Sequence, residues 1–207
     1  MATSRFVHPR HAASLILWRQ SRSGGTEVLM GLRAAGHRFM PSRLVFPGGR
    51  VDFTDRVAPA ATELRPETRA ALMRRAPPSL ARALAIAAAR ELEEETGLRL
   101  GGPAPHLDRL DYLCRAVTPP RRPIRFNARF LLAPAEVAVG TLAGSGELED
   151  LAWREVAATR ALPLAPITAK VLGELEEWLA TPPELRHGRG LICFRGHERR
   201  EPEQACS

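Results

Sequence analysis

The sequence predicts an α/β fold, on three observations. Short runs rich in Leu, Ile, Val and Phe, separated by Gly and Pro, read as strands. An alanine-rich run from Leu80 to Ala89 reads as a helix, because nearly every residue in it is a strong helix former. A later stretch, Ile167 to Leu179, places Ile167, Val171, Leu175 and Trp178 on one helical face. No internal repeat breaks the 207 residues, so one domain spanning 1–207 is expected, with its core at about 12–179.

In chain order, His11 to Trp18 and Glu27 to Arg33 read as two strands joined by the polar turn Ser21 to Gly25. Arg43 to Phe46 reads as a short strand leading into Gly48 and Gly49, which suit a sharp backbone turn close to a ligand. Asp52 to Ser79 carries four prolines and a helical piece near Glu67 to Arg75. A connection this long is expected to be a lid, a binding loop or disordered. Ser79 is expected to cap the alanine-rich helix, whose apolar side holds Leu84, Ile86 and Leu92. Arg99 to Leu107 reads as a loop and Leu110 to Val117 as a strand. Arg125 to Ala133 is the clearest strand signal, with Phe126 and Phe130 on one face. Ala138 to Gly146 reads as a loose connection, and Glu147 to Trp153 as an approach to a helix starting near Glu155. In the basic tail, 182–207, Leu191 to Phe194 reads as a small strand and Glu198 to Ser207 as frayed.

The end of the alanine-rich helix breaks two local rules. Arg90-Glu91-Leu92-Glu93-Glu94-Glu95-Thr96-Gly97 puts four glutamates in a last turn closed by Gly97. Carboxylates are disfavoured there by the negative end of the macrodipole. Glu91 and Glu95 also repel at i,i+4, at a cost of roughly 0.2–0.5 kcal/mol. A solvated acidic face is the ordinary reading of such a run. Uncompensated rule-breaking instead marks a functional site. Glu91, Glu94 and Glu95 share one face, and Glu93 points elsewhere. A hard divalent cation with oxygen ligands would relieve their repulsion.

Phe46-Pro47-Gly48-Gly49 and Arg90 to Leu98 together resemble the Nudix box: Gly, five residues, Glu, seven residues, then Arg-Glu-U-x-Glu-Glu-x-Gly-U, with U bulky and apolar. Arg90, Glu91, Leu92, Glu94, Glu95, Gly97 and Leu98 fill the second half without mismatch, and Gly49 fits the opening glycine. The resemblance implies a mixed sheet sandwiched between helices over Ala12 to Leu179. It also implies hydrolysis of a nucleoside diphosphate derivative with Mg²⁺ or Mn²⁺. Glu94 and Glu95 would be the main metal ligands, Glu91 a further ligand or base, and the Gly48 carbonyl another ligand. Arg90 would orient the carboxylates, with an i,i+4 pair to Glu94 as its plain alternative. Glu147 or Glu149 would supply the later glutamate that many members use, as ligand or base.

Two departures stand out. Forty residues separate Gly49 from Arg90, so the box is split by an insertion at 52–79, and Arg82 stands where the outer glutamate belongs. Asp52, Asp55 and Glu67 are the candidates to replace it.

The net charge is +7, and Lys170 is the only lysine among thirty basic residues. A basic surface suits a phosphorylated small molecule. Nucleic acid is not expected, because no basic run is interleaved with aromatics, which make up 5% of the chain. No apolar run is long enough for a membrane span, and the N-terminus has no signal-peptide pattern. Cys114, Cys193 and Cys206 fit neither a disulfide framework nor a metal site, so a reducing cytoplasm is expected.

The spacing Leu29-Met30-x-x-Arg33-Ala34-x-x-x-Arg38 resembles a signature of the coenzyme A diphosphatase branch, with Gly31 and Ser42 as departures. That resemblance implies coenzyme A or acyl-coenzyme A as substrate. Arg33, Arg38 and Gly49 would bind it, the arginines at its 3′-phosphate or diphosphate, and the insertion would cover the pantetheine arm. ADP-ribose, NADH or a damaged nucleotide is the alternative substrate. A non-catalytic nucleotide-binding domain is the other alternative, and the three clustered carboxylates argue against it.

Overall fold

The computed structural model describes residues 7–36, 40–196 and 199–202. Arg38, Glu198 and Cys206 therefore lie outside the described residues. The strands are β1 (Arg10–Gln20), β2 (Thr26–Arg33), β3 (Leu44–Val45), β4 (Gly48–Arg50), β5 (Leu98–Leu100), β6 (Asp111–Val117), β7 (Phe126–Pro134), β8 (Ala138–Gly140), β9 (Leu148–Glu155), β10 (Ile192–Arg195) and β11 (Arg199–Pro202). The α-helices are α1 (Pro66–Met73), α2 (Pro78–Thr96), α3 (Val156–Thr159) and α4 (Pro166–Ala180).

The main sheet runs β11-β10-β6-β7-β1-β2-β3, with β4 paired to β1 and β9 to β2. It is mixed, because β1 with β7 and β6 with β10 are parallel and the other pairs antiparallel. Alternation along β1 divides the core in two. Ala13, Leu15 and Leu17 pack with Leu84 and Leu92 of α2. Ile16 packs on the opposite face with Val171, Leu175 and Trp178 of α4. The sheet therefore lies between helices, as the resemblance implies.

Local details differ from the expectations in ways that have physical causes. Ser79 does not cap α2; Pro78 opens the helix, where its missing N–H costs nothing. Gly97 does close it, at φ 73°, and donates its N–H to the Glu93 carbonyl. Leu98–Leu100 and Ala138–Gly140 pair as a two-stranded sheet, although Arg99 to Leu107 and Ala138 to Gly146 read as irregular from their sequence. Leu148–Glu155, expected to lead into a helix, is an edge strand on β2, with α3 beginning one residue later. Arg199–Pro202, expected to fray, pairs antiparallel with β10. Each of these strands is short or has a wet face, so its apolar alternation is weak.

Segment 52–79 is no lid. Leu64, Leu72 and Ala76 are buried in the core on the α2 side. The Thr68 hydroxyl donates to the Leu110 carbonyl at 2.8 Å, and Arg65 pairs with Asp111. Arg82 fastens the same segment, donating to Glu63 at 2.9 Å and to the Ala58 carbonyl at 2.8 Å. The expected cover over a substrate arm is therefore corrected. Among the described residues of this segment, only Asp52 borders the main cleft.

Candidate active site

The acid-rich end of α2 meets β4 at one end of a cleft of about 1010 Å³. Gly48 and Gly49 are where the chain needs no side chain. A Cβ on Gly48 would strike Ser14 and the Ala13 carbonyl, and one on Gly49 would strike the Glu91 carboxylate. The two glycines thus let β4 lie flat on β1 while the helix brings its carboxylates against the backbone. The Gly48 N–H donates to Glu95 Oε2 at 2.8 Å.

Glu91, Glu94, Glu95 and Glu147 all border the cleft, and Glu93 and Glu149 do not. Glu95 is only 4% exposed. Burial pushes its carboxyl up, to about 8; Glu91 and Glu147 add to this, while the Gly48 N–H and Arg33 oppose it. Burial also raises Glu91, reinforced by Glu94 and Glu147 and opposed by Arg90. Arg33 lines the same cleft; burial pulls its guanidinium down, against the charges of Glu95, Glu147 and Glu91. The structure therefore places Arg33 on the same cleft as Glu91, Glu94, Glu95 and Glu147. The position of Arg38 lies outside the described residues.

Arg90 uses its whole fork. Nε and Nη2 donate to the two oxygens of Asp55 at 3.0 and 3.2 Å. Nη1 donates to Glu91 Oε1 at 2.9 Å and Glu94 Oε2 at 2.8 Å, and Nη2 also reaches the Arg50 carbonyl at 2.9 Å. Burial works against the charge of Arg90, but the Asp55 hydrogen bond and the Glu91 and Asp55 charges outweigh it and hold the guanidinium charged. Asp55 is 1% exposed and also accepts the Asp52 N–H at 2.7 Å. Of the three candidates for the missing outer glutamate, Asp55 is the one that grips Arg90 bidentately. Asp52 reaches it only at 4.0 Å, and Glu67 borders a different cavity. Sequence reading could not choose among them, because a three-residue 3₁₀ turn thirty-five positions upstream carries no periodic signal.

The donor set suits a hard divalent ion, being carboxylate and backbone oxygen without Cys or His. Among the described residues no three such side chains already converge as a metal cage. Glu94 is turned to Arg90 and Glu95 to the Gly48 N–H. The Glu94 side chain is 57% exposed, so it is free of packing that would hold it away from an ion. Burial, with the neighbouring carboxylates, raises Glu91 and Glu95, and a bound cation would favour their ionised forms instead. No helix among the described residues is long and apolar enough to cross a membrane.

No protein-family model and no curated protein matches the chain. Solved structures do. A NUDIX hydrolase from Alicyclobacillus acidocaldarius is 25% identical with a TM-score of 0.62, over 88% of this chain and 97% of that one. The NUDIX domain of Shewanella oneidensis NrtR, solved with ADP ribose, is 18% identical with a TM-score of 0.54, over 86% and 94%. A MutT NUDIX hydrolase from Burkholderia pseudomallei is 20% identical with a TM-score of 0.52, over 82% and 99%. The fold is the Nudix fold.

Proposed function

We propose that this chain, built as a Nudix hydrolase, cleaves the diphosphate linkage of a nucleoside diphosphate derivative, with coenzyme A or acyl-coenzyme A as the substrate. One observation carries the reading: the split box closes in space, so that Gly48, Gly49, Glu91, Glu94 and Glu95 border one end of one cleft. Glu91, Glu94, Glu95 and the Gly48 carbonyl would hold Mg²⁺ or Mn²⁺, which supplies positive charge to the phosphoryl oxygens and acidifies the attacking water.

The chain's own residues do the rest. Arg90, charged and held by Asp55, orients Glu91 and Glu94. Arg33 adds a cation beside the diphosphate, where charge spreads over non-bridging oxygens in the transition state. Water attacks one phosphorus, the bridging P–O bond breaks, and two phosphomonoesters leave. A glutamate of the cluster takes the water's proton. We assign that role to Glu147 over Glu149, because Glu147 lines the cleft and Glu149 does not.

Coenzyme A is favoured by the Leu29 to Arg38 spacing and by cleft size. A cleft of about 1010 Å³ lies at the top of the range for small-molecule sites, so it suits a large substrate. The test is a panel of diphosphates with Mg²⁺ and with Mn²⁺. Coenzyme A or its acyl form should give the highest kcat/KM and yield (acyl-)phosphopantetheine with adenosine 3′,5′-bisphosphate. Faster turnover of ADP-ribose or NADH would move the assignment to those substrates. No turnover of any diphosphate would overturn the enzymatic reading.

A further inference from the structure

Beyond the carboxylates the cleft changes character. Its floor is the face of the main sheet opposite α2, and the strand registers draw it residue by residue. Arg50 pairs with Ala12, Ala12 with Ala128, Ala128 with Ala116, and Ala116 with Phe194. All five border the cleft. Three successive rungs are therefore alanine, which leaves a shallow trough where larger side chains would fill the space. Phe126 and Phe130 project from the same face of β7 as Ala128 and wall the trough on either side. At its far end Lys170 of α4 lies 5.7 Å from the Phe194 ring centre, and Arg122 borders the same space from the β6–β7 connection.

The two ends of this cleft cannot serve one group. At about 4.8 Å per strand, β6 and β10 lie roughly 14 and 19 Å from β4. A diphosphate held at Glu91, Glu94 and Glu95 is out of reach of an ion pair with Lys170. A chain with twenty-nine arginines keeps its single lysine on this wall. The trough between the two ends is apolar, flat and bounded by aromatic rings, which suits a base or similar flat body. A compact ammonium beside it suits a phosphate as a point charge.

We propose that the alanine trough, with Lys170 and Arg122, is a second subsite that binds a nucleoside carrying a phosphate in addition to the scissile diphosphate. This rests on reading the carboxylate end as the diphosphate site, and it names the substrate class: phosphorylated nucleotides over their unphosphorylated counterparts. Arg33, held among the glutamates, is then a diphosphate residue, and recognition of the extra phosphate falls to Lys170 and Arg122.

The test is equilibrium binding, without metal or turnover. Adenosine 3′,5′-bisphosphate and adenosine 5′-monophosphate are titrated calorimetrically into the full chain. Wild type should bind the bisphosphate about ten-fold more tightly or better, the scale of one charge-assisted contact. Lys170→Gln should reduce that preference and Lys170→Gln with Arg122→Gln should remove it, with melting curves showing that both variants are folded. Ala128→Leu, filling the trough, should weaken both ligands by about ten-fold or more while the melting temperature holds. Equal affinity of wild type for the two nucleotides, or a preference undiminished in the double variant, would overturn the phosphate subsite. Unchanged binding of both by Ala128→Leu would overturn the trough. Failure of the hydrolase reading shows separately, as absence of metal-dependent turnover in wild type.

Discussion

The guanidinium of Arg90 is gripped by the buried carboxylate of Asp55, through hydrogen bonds of 3.0 and 3.2 Å across thirty-five residues of sequence. The same guanidinium holds Glu91 and Glu94. Asp55 therefore reaches the glutamate cluster through Arg90, as a positioning residue.

Asp55→Ala leaves Arg90 with one fork face unsatisfied. Arg90 is 24% exposed in its side chain, so solvent makes up part of the loss. The expected cost is roughly 1–3 kcal/mol of stability, below the figure for a fully buried broken pair. Activity should fall about ten-fold, mainly in kcat, because the carboxylates lose their orientation. Asp55→Glu should restore more of it than Asp55→Asn. Urea unfolding with steady-state kinetics checks this. Wild-type kcat in Asp55→Ala would remove Asp55 from the site.

Without metal, the stability of the protein should fall as pH rises from about 5 to 8. The sign follows from Glu95. Its folded pKa is about 8 against 4.5 when unfolded, so between those values the native state binds a proton that the unfolded chain has released. That contribution is present below the unfolded value and lost as pH rises through the folded one. Glu91, also raised, acts in the same direction. Glu95→Gln should flatten the slope, and Mg²⁺ should stabilise wild type most at the alkaline end, because it binds the ionised carboxylates. Binding to the native state alone adds about 2.7 kcal/mol at one hundred times Kd. Thermal melts in EDTA and in Mg²⁺ at both pH values decide it. A slope identical in wild type and Glu95→Gln, or no response to Mg²⁺, counts against this assignment.

Segment 52–79 should behave as core. Leu72 is 1% exposed and packs against α2. Leu72→Ala should cost about 2–4 kcal/mol by cavity formation. It should leave the ratio of kcat/KM between coenzyme A and ADP-ribose unchanged at a temperature where the variant is folded. A shifted ratio without a stability loss would return the segment to the role of a lid.

The sequence was legible where one residue's neighbours carry its signal. The glutamate face of α2, the Gly97 stop and the alternation of β1 and β7 are all of this kind, and the structure has each of these elements. What stayed hidden depends on distant partners. Asp55 resembles any surface aspartate until the fold brings Arg90 to it. The β5–β8 pair has three residues a side in glycine-rich sequence, too few to show a period. The place of Arg33 beside Glu147 on the cleft needed the pairing of β2 with β9, which sets Arg33 opposite Leu148. The alanine trough is invisible in sequence, because its three alanines come from three strands more than a hundred residues apart at the extremes.

Metal-dependent hydrolysis of a diphosphate at the carboxylate end of α2 makes a direct prediction about turnover. The most direct measurement is the rate of coenzyme A cleavage by wild type and Glu95→Gln, with Mg²⁺ and with excess EDTA, both proteins confirmed folded by their melting curves. Wild type should turn over only with the metal, and Glu95→Gln should be slower in kcat by about 10²-fold or more. Equal turnover by the two proteins, or turnover by wild type in EDTA, would rule out metal-dependent hydrolysis at these carboxylates.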